Sequence, residues 1–227
     1  MEEKRYAVAI DGPSGAGKST MARRIANDLG FVYVDTGAIY RTVGYYIHLC
    51  GIGPRDIHQI TRLIDDVNIT ITYPEDGIQH MILNGQDITQ EIRTPLMSDY
   101  ASKISAFPVV RSFLLDMQRD MARRHNVVMD GRDIGTVVLP QADVKIFLTA
   151  SSEVRAHRRF LELQERGETV TYEKVLADLQ QRDTQDSSRA IAPLRAAKDA
   201  VTVDSTQLDL EQTVAAIRKI IREKLGL

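Results

Sequence analysis

The residues of this chain with the clearest chemical potential form a glycine-rich segment near its N-terminus. The segment reads Gly12, Pro13, Ser14, Gly15, Ala16, Gly17, Lys18, Ser19 and Thr20. Its first eight residues fit the pattern G-x-x-x-x-G-K-[ST] at every fixed position, which is typical of loops that bind nucleotide phosphates. The glycines let several backbone N–H groups point at one phosphate chain, and Lys18 adds a point charge. Because the Ser19 hydroxyl can reach a Mg²⁺ ion, the pattern predicts a nucleotide-binding loop.

The flanking sequence contains the strand and the helix that such a loop requires. Residues 6–10 are an apolar run of strand length, and residues 18–29 contain neither Gly nor Pro. Apolar side chains recur at helical spacing between positions 21 and 29, and Gly30 is a typical helix stop. A glycine-rich turn without a ligand is the alternative, but it does not explain why the pattern and its context agree.

Apolar runs alternate with helical patterns along most of the chain. The five runs span residues 6–10, 31–34, 127–129, 144–148 and 200–203. This alternation predicts an α/β fold of the P-loop NTPase type, with a parallel five-stranded sheet and helices on both faces. Ligands bind beyond the carboxyl ends of such strands. The polar residues that follow the runs there are Asp11, Asp35, Asp130, Thr149 and Asp204.

Two further segments complete the expected architecture. Residues 66–93 contain alternating apolar residues, a turn at 74–77, a second strand at 78–83 and an Asn84-Gly85 pair. Together these features predict a small antiparallel β insert. The C-terminal stretch carries apolar residues on one helical face, which predicts an amphipathic closing helix. Those residues are Val214, Ile217, Ile221 and Leu225.

The composition limits the class of protein. With 227 residues the chain is expected to form one domain, and a net charge of −2 does not favour a general nucleic-acid or membrane binder. Arginine outnumbers lysine by 21 to 8, which suits phosphate recognition. The single cysteine, Cys50, rules out an internal disulfide. Together with the lack of a signal-peptide pattern, this predicts a cytoplasmic protein.

Two segments that follow apolar runs carry candidate ligand-binding side chains. Thr36 is expected at a helix N-cap, with Arg41 one turn into that helix. Asp130 at the end of an apolar run is typical of a carboxylate that holds the hydration shell of Mg²⁺. Beside it, Arg132 can clamp a phosphate and Asp133 can accept from an exocyclic amine. A charged β-turn is the alternative for this second segment.

Two helical patterns carry the remaining charged candidates. Arg155, Arg158 and Arg159 share a face of residues 152–167, where repulsion between like charges would be relieved by a polyanion. The alternative is that Glu162 neutralises this stripe. Arg182, Asp186 and Arg189 also share a face, for which a ladder of salt bridges is the alternative. The chain contains neither the D-x-x-G nor the N-K-x-D motif, which argues against a GTPase.

With these residues in view, the chain resembles the bacterial cytidylate kinases over essentially its whole length. The segments that carry the resemblance are 11–18, 35–41, 130–138, 145–148, 156–159, 182–183 and 190–194. The resemblance implies transfer of the γ-phosphoryl group of ATP to CMP or dCMP, with Mg²⁺, in pyrimidine nucleotide metabolism. It also implies a single domain made of a core, a region that binds the nucleoside monophosphate and a helical lid. The core comprises residues 1–35, 106–150 and 170–227, the monophosphate region 36–105 and the lid 151–169.

The resemblance also implies roles for individual side chains. Thr36, Arg111 and Asp133 are expected to read cytosine, and Thr36 adds a methyl group where many relatives have serine. Arg41, Arg132 and Arg189 would clamp the acceptor phosphate, and Ser102, Arg182 and Asp186 would contact the pentose. Lys18, Arg132, Arg155 and Arg159 would act in catalysis. Ser19 and Asp130 would hold Mg²⁺, the latter directly or through water.

Three other functions remain as alternatives to a cytidylate kinase. A kinase for another nucleoside monophosphate differs in the base that it must read, and Asp133 with Arg111 suits cytosine rather than uracil. A nucleotide-sensing module without turnover does not require so many arginines in a lid. An RNA-binding chaperone is disfavoured by the mild net charge. The resemblance implies a monomer that acts on small molecules, without a nucleic-acid or membrane partner.

Overall fold

The computed structural model describes residues 4–75 and 77–226. In chain order its strands and helices are β1 (Ala7–Asp11), α1 (Lys18–Leu29), β2 (Val32–Asp35), α2 (Thr36–Leu49), α3 (Ile57–Leu63), β3 (Ile69–Thr72), β4 (His80–Leu83), β5 (Gln86–Asp87), α4 (Pro95–Ile104), α5 (Pro108–Arg124), β6 (Val127–Gly131), β7 (Val144–Thr149), α6 (Ser152–Glu165), α7 (Tyr172–Ser187), β8 (Val201–Asp204) and α8 (Leu210–Leu225). Short helical turns also occur at Ile64–Asp66, Glu91–Arg93 and Ile134–Val138. The chain forms two compact units, residues 1–33 with 124–227 and residues 34–123.

The main sheet has five strands in the order β2-β6-β1-β7-β8, as the apolar runs predicted. β1 pairs in parallel with β6 on one side and with β7 on the other, and β7 pairs in parallel with β8. The central strand is almost fully buried because it has neighbours on both edges and helices on its faces. The predicted fold class is therefore confirmed, with strand boundaries that differ by one or two residues from the expected ones.

The core of the first unit forms between this sheet and the helices α1 and α8. Met21 and Ile25 from α1 and Val214, Ile217 and Ile221 from α8 are all buried in it. The helix predicted at residues 18–29 has those boundaries, and Gly30 ends it with a φ of 65°. The amphipathic closing helix is likewise confirmed. Ala16 of the phosphate-loop segment is buried in the same apolar cluster.

A smaller apolar cluster joins α6 to α7 within the first unit. Ala156 and Leu163 from α6 pack against Val175 and Leu179 from α7. The cluster fixes the rotation of both helices, so it decides which of their charged side chains face each other. Among the described residues, no helix is long and apolar enough to cross a membrane.

The second unit combines helices with a three-stranded antiparallel sheet in the order β3-β4-β5. The predicted insert is present, although β4 begins at His80 rather than at residue 78. Asn84 and Gly85 have φ values of 49° and 87°, which is the left-handed conformation of a type I′ hairpin. The predicted turn at 74–77 includes Asp76, which lies outside the described residues.

Candidate active site

The phosphate loop follows β1 and wraps around the side chain of Lys18. The Lys18 ammonium donates to the Pro13 carbonyl oxygen at 2.7 Å, and the residue is only 5% exposed. Burial lowers the pKa of Lys18 to about 7, with a further contribution from the charge of Arg132, while Asp130 acts in the opposite direction. The loop therefore carries a cation that a bound polyphosphate would stabilise.

Two glycines of the loop leave little or no room for a side chain. A Cβ at Gly12 would approach the Leu148 carbonyl oxygen to 1.9 Å, and its φ is 152°. A Cβ at Gly15 would lie 3.3 Å from the Arg155 Cβ, at a φ of 73°. The fixed glycine at position 12 thus follows from the close approach of β7 to the end of β1.

Ser19, Asp130 and Tyr33 form a chain of hydrogen bonds beside the loop. The Ser19 hydroxyl donates to one oxygen of Asp130 at 3.0 Å, and the Tyr33 hydroxyl donates to the other at 2.9 Å. Hydroxyl and carboxylate oxygens suit Mg²⁺, which commonly takes one or two protein ligands and completes its shell with phosphates and water. The residues predicted to hold Mg²⁺ therefore fit it chemically. The sequence did not indicate the supporting role of Tyr33.

Asp11, which the sequence placed only at a strand end, braces the segment after β6. Its carboxylate accepts from the N–H groups of Ile134 and Gly135, both at 2.8 Å. Burial raises the pKa of Asp11 to about 6, while these two N–H groups act to lower it. The contacts fix the backbone directly after Arg132 and Asp133, two of the predicted substrate-binding residues.

Asp186 pairs with two of the three arginines predicted to bind the acceptor phosphate. Its carboxylate accepts from Arg132 Nε at 2.9 Å and, through the other oxygen, from Arg189. Burial raises the pKa of Asp186, but Arg132, Arg189 and Arg182 outweigh it and hold the pKa below its ordinary value. The alternative of a salt-bridge ladder is partly realised, because Asp186 pairs with Arg189. Arg189 does not share a helical face with Asp186 as expected, since α7 ends at Ser187 and Arg189 follows its C-cap. The other partner of Asp186, Arg132, lies in the segment after β6, so this ion pair joins α7 to a distant part of the chain.

The three arginines of α6 have different surroundings. Arg155 is buried and donates to the Ala150 and Ser14 carbonyl oxygens, and Arg158 donates to the carbonyl oxygens of Ser205 and Leu208. Arg159 pairs with Glu162 at 2.7 Å, and Glu162 also accepts from Arg166. Glu162 thus neutralises the outer part of the stripe, as the alternative expected, while the other two arginines bind backbone.

A cavity of about 440 Å³ opens next to the phosphate loop within the first unit. The loop and α1 form one wall, and α6 and the segment before α8 form the others. Residues that line it include Gly15, Gly17, Thr20, Arg158, Ser205 and Thr213. A nucleotide whose phosphates bind the loop could place its base and sugar there.

The start of α2 carries candidate acceptor-binding residues in the second unit. The sequence placed Thr36 at the N-cap, and this is wrong because Asp35 caps the helix and accepts from the Ala38 N–H. Asp35 precedes Thr36 in the chain, and it is the Asp35 side chain that accepts from this N–H. Thr36 is therefore the first residue of the helix, and it is buried. Arg41 folds back over Gly37 and pairs with Asp35 at 3.0 Å.

Gln79, whose role no sequence motif indicates, connects the β insert to the same position. Its amide exchanges hydrogen bonds with the backbone N–H and carbonyl of Asp35, at 2.7 and 3.2 Å. Elsewhere in this unit, Ser102 is buried in α4 and Arg111 donates to the Ser105 carbonyl oxygen at 3.3 Å. Whether Thr36 and Arg111 read a base together with Asp133 stays a prediction.

Comparisons with known proteins identify the family of the chain. Residues 8–223 match the family model for cytidylate kinase. The chain is 44% identical to the cytidylate kinase of Caldicellulosiruptor saccharolyticus, with 98% of each chain covered. It is 48% identical to the cytidylate kinase of Carboxydothermus hydrogenoformans, covering 96% of this chain and 97% of that one.

A solved structure supports the fold alone. It is an uncharacterized protein from Eubacterium ventriosum that matches with a TM-score of 0.52 and 12% identity, covering 97% of this chain and 99% of that chain. The resemblance seen in the sequence is confirmed by the family match and the two relatives. The chain belongs to the cytidylate kinase family.

Proposed function

We propose that the protein transfers the γ-phosphoryl group of ATP to CMP or dCMP, giving ADP and CDP or dCDP. The observation that carries this proposal is a buried Lys18 inside a complete phosphate loop, beside the hydrogen-bonded Ser19 and Asp130, in a member of the cytidylate kinase family. Phosphoryl transfer needs little covalent chemistry from the protein, so positioning and charge account for most of the catalysis.

The donor phosphates bind to the N–H groups of the phosphate loop, with Lys18 at the β- and γ-phosphates. The adenosine part occupies the neighbouring cavity of about 440 Å³. Arg158 supports that cavity, because it binds the Ser205 and Leu208 carbonyl oxygens and so fixes the segment that forms one wall.

Ser19 and Asp130 are the residues that would hold Mg²⁺, either directly or through its water shell. When bound there, the ion neutralises charge on the β- and γ-phosphates. Tyr33 keeps the Asp130 carboxylate in place by donating to the oxygen that Ser19 leaves available.

Arg132 and Arg189 bind the acceptor phosphate and orient it toward the γ-phosphoryl group, and Arg41 is the third candidate for this phosphate. The buried Asp186 carboxylate pairs with Arg132 and Arg189, so both guanidinium groups are already ordered before substrate binds. This preorganisation removes part of the entropic cost of alignment. Thr36, Arg111 and Asp133 read cytosine, and Ser102, Arg182 and Asp186 contact the pentose.

The α6 arginines complete the charge complement around the transferred group. Arg159 breaks its ion pair with Glu162 and binds the phosphates instead. Arg155 contacts the phosphate loop at the Ser14 carbonyl oxygen. Closure of residues 151–169 over the nucleotide excludes water, which would otherwise compete with the acceptor.

The test is ADP release from ATP with Mg²⁺ and CMP, dCMP, UMP, AMP, GMP or dTMP, offered one at a time. We expect fast turnover with CMP and dCMP alone. Turnover with a different acceptor would keep the phosphate-loop chemistry but reject the roles of Thr36, Arg111 and Asp133. No turnover with any acceptor would reject the kinase. Cytoplasmic location and a monomeric state stay predictions, the second to be checked by light scattering.

A further inference from the structure

Arg155 is held at the phosphate loop by three different partners. Its Nε donates to the Ala150 carbonyl oxygen at 2.8 Å, and its Nη1 donates to the Ser14 carbonyl oxygen at 2.9 Å. Its Nη2 donates to the Asp183 carboxylate of α7 at 2.6 Å, and the Arg155 side chain is only 6% exposed. Because the guanidinium is planar, these three contacts fix both its position and its plane.

The contact with Ser14 controls an N–H group of the phosphate loop. A trans peptide unit is planar, so the Ser14 carbonyl and the Gly15 N–H point in opposite directions. When Arg155 holds that carbonyl, the Gly15 N–H faces away from α6, on the side where a loop of this type gathers its donors. Gly15 also packs on Arg155, with 3.3 Å between an added Cβ and the Arg155 Cβ.

Asp183 is the one charged partner among these three contacts. Its second carboxylate oxygen is buried and has no hydrogen-bond partner within residues 4–75 and 77–226. A buried carboxylate oxygen without a donor costs stability, so this ion pair is poorly arranged as a source of stability. It is well arranged to hold one guanidinium in one orientation.

We infer that Asp183 is a positioning residue for the donor nucleotide, which acts through Arg155 on the Ser14–Gly15 peptide of the phosphate loop. This inference rests on the proposed function, in which ATP binds at that loop. α7 then serves both substrates, because Asp183 orients the donor loop while Asp186, one turn later, orients the arginines for the acceptor phosphate.

The experiment compares Asp183→Asn with Asp178→Asn. Asp178 lies on the same helix and pairs with Lys174 at 2.7 Å, but its side chain is 55% exposed, so it is a matched control. Calorimetry measures the Kd of ATP with Mg²⁺ in the absence of acceptor, and steady-state kinetics measures KM for ATP and for CMP. We expect Asp183→Asn to raise Kd and KM for ATP about tenfold, the scale of one charged hydrogen bond. The KM for CMP and all values for Asp178→Asn should stay within about twofold.

A second variant tests the route through Arg155. If Asp183 acts through that side chain, adding Asp183→Asn to Arg155→Lys should change the Kd of ATP by less than about twofold. Independent, additive losses would overturn the inference, as would an equal rise in KM for both substrates or an unchanged Kd in Asp183→Asn. If Asp183→Asn does not fold, Asp183→Glu, which keeps the charge, should show the same split at about threefold.

Failure of this inference is distinguishable from failure of the proposed function. The proposed function fails when the unaltered protein shows no turnover with CMP or dCMP. The positioning role fails when that protein is active and binds ATP, yet the Asp183 variants bind ATP equally well.

Discussion

Replacement of Gly12 by alanine tests whether the close approach of β7 dictates the start of the phosphate loop. The added Cβ would lie 1.9 Å from the Leu148 carbonyl oxygen, which belongs to the backbone of a central strand. Backbone on both sides is held by the parallel pairing of β1 with β7, so neither strand can move without losing ladder hydrogen bonds. The φ of 152° adds strain for any residue with a side chain.

The two contributions set the expected loss of stability. A residue forced into a sparsely populated backbone region costs about 1–3 kcal/mol, and overpacking a rigid site costs about 1–3 kcal/mol more. The free energy of unfolding should therefore fall by about 2–6 kcal/mol. For a protein of this size that corresponds to a drop in Tm of roughly 5–20 °C.

Thermal unfolding followed by circular dichroism measures this loss, with two other glycines as controls. Gly17 has a φ of 86°, but no described atom beyond its neighbours lies within 4 Å of an added Cβ. The free energy of unfolding of Gly17→Ala should therefore fall only by the cost of a left-handed backbone in a residue with a side chain, about 1–2 kcal/mol. Gly53 has the same open space without a left-handed φ, so Gly53→Ala should change Tm by less than about 2 °C.

The difference between the Gly12 and Gly17 variants isolates the steric clash from the backbone strain. If Gly12→Ala unfolds at the same temperature as Gly17→Ala, the close approach of Leu148 does not constrain the start of the phosphate loop.

Three further predictions concern the substrates and the metal. Because the pKa of Lys18 is lowered to about 7, the free protein loses this positive charge as the pH rises above 7. The affinity for ATP, measured by calorimetry, should then fall about tenfold per pH unit up to pH 9. Lys18→Arg should abolish this dependence of affinity on pH. Lys18→Ala should lose most of kcat without a lower Tm. Asp133→Ala should raise KM for CMP far more than KM for ATP, and equal increases would argue against base reading. Tyr33→Phe should raise the Mg²⁺ concentration for half-maximal rate about tenfold, because Asp130 loses a supporting donor; an unchanged requirement would remove Tyr33 from the metal site.

Local sequence patterns predicted those parts of the fold that depend on neighbouring residues. The strand, phosphate loop and α1 were predictable because a continuous apolar run, the required glycines and apolar residues at helical spacing lie within about 25 positions of each other. The Asn84-Gly85 hairpin was predictable for the same reason, since both residues must adopt positive φ values. The placement of Thr36 as a cap failed because Asp35, one residue earlier, has an equally suitable side chain.

Contacts between distant segments could not be predicted from spacing. Tyr33 meets Asp130 across 97 positions, and Arg155 meets Ser14 across 141 positions. A phenol in a strand and an arginine in a helix have many possible partners, and only the packing of the elements selects one. Asp186 shows the same limit, because its helical spacing indicated Arg189 but not Arg132.

The hydrogen bond from Tyr33 to Asp130 has a spectroscopic consequence. The chain contains 8 tyrosines and no tryptophan, so its near-ultraviolet absorption comes mainly from phenol rings. The Tyr33 hydroxyl donates to the carboxylate beside Ser19, so any charge that arrives there changes the electronic environment of the ring. A difference spectrum recorded during a titration with Mg²⁺ and ATP therefore reports loading of the site without an added label, and Tyr33→Phe supplies the blank.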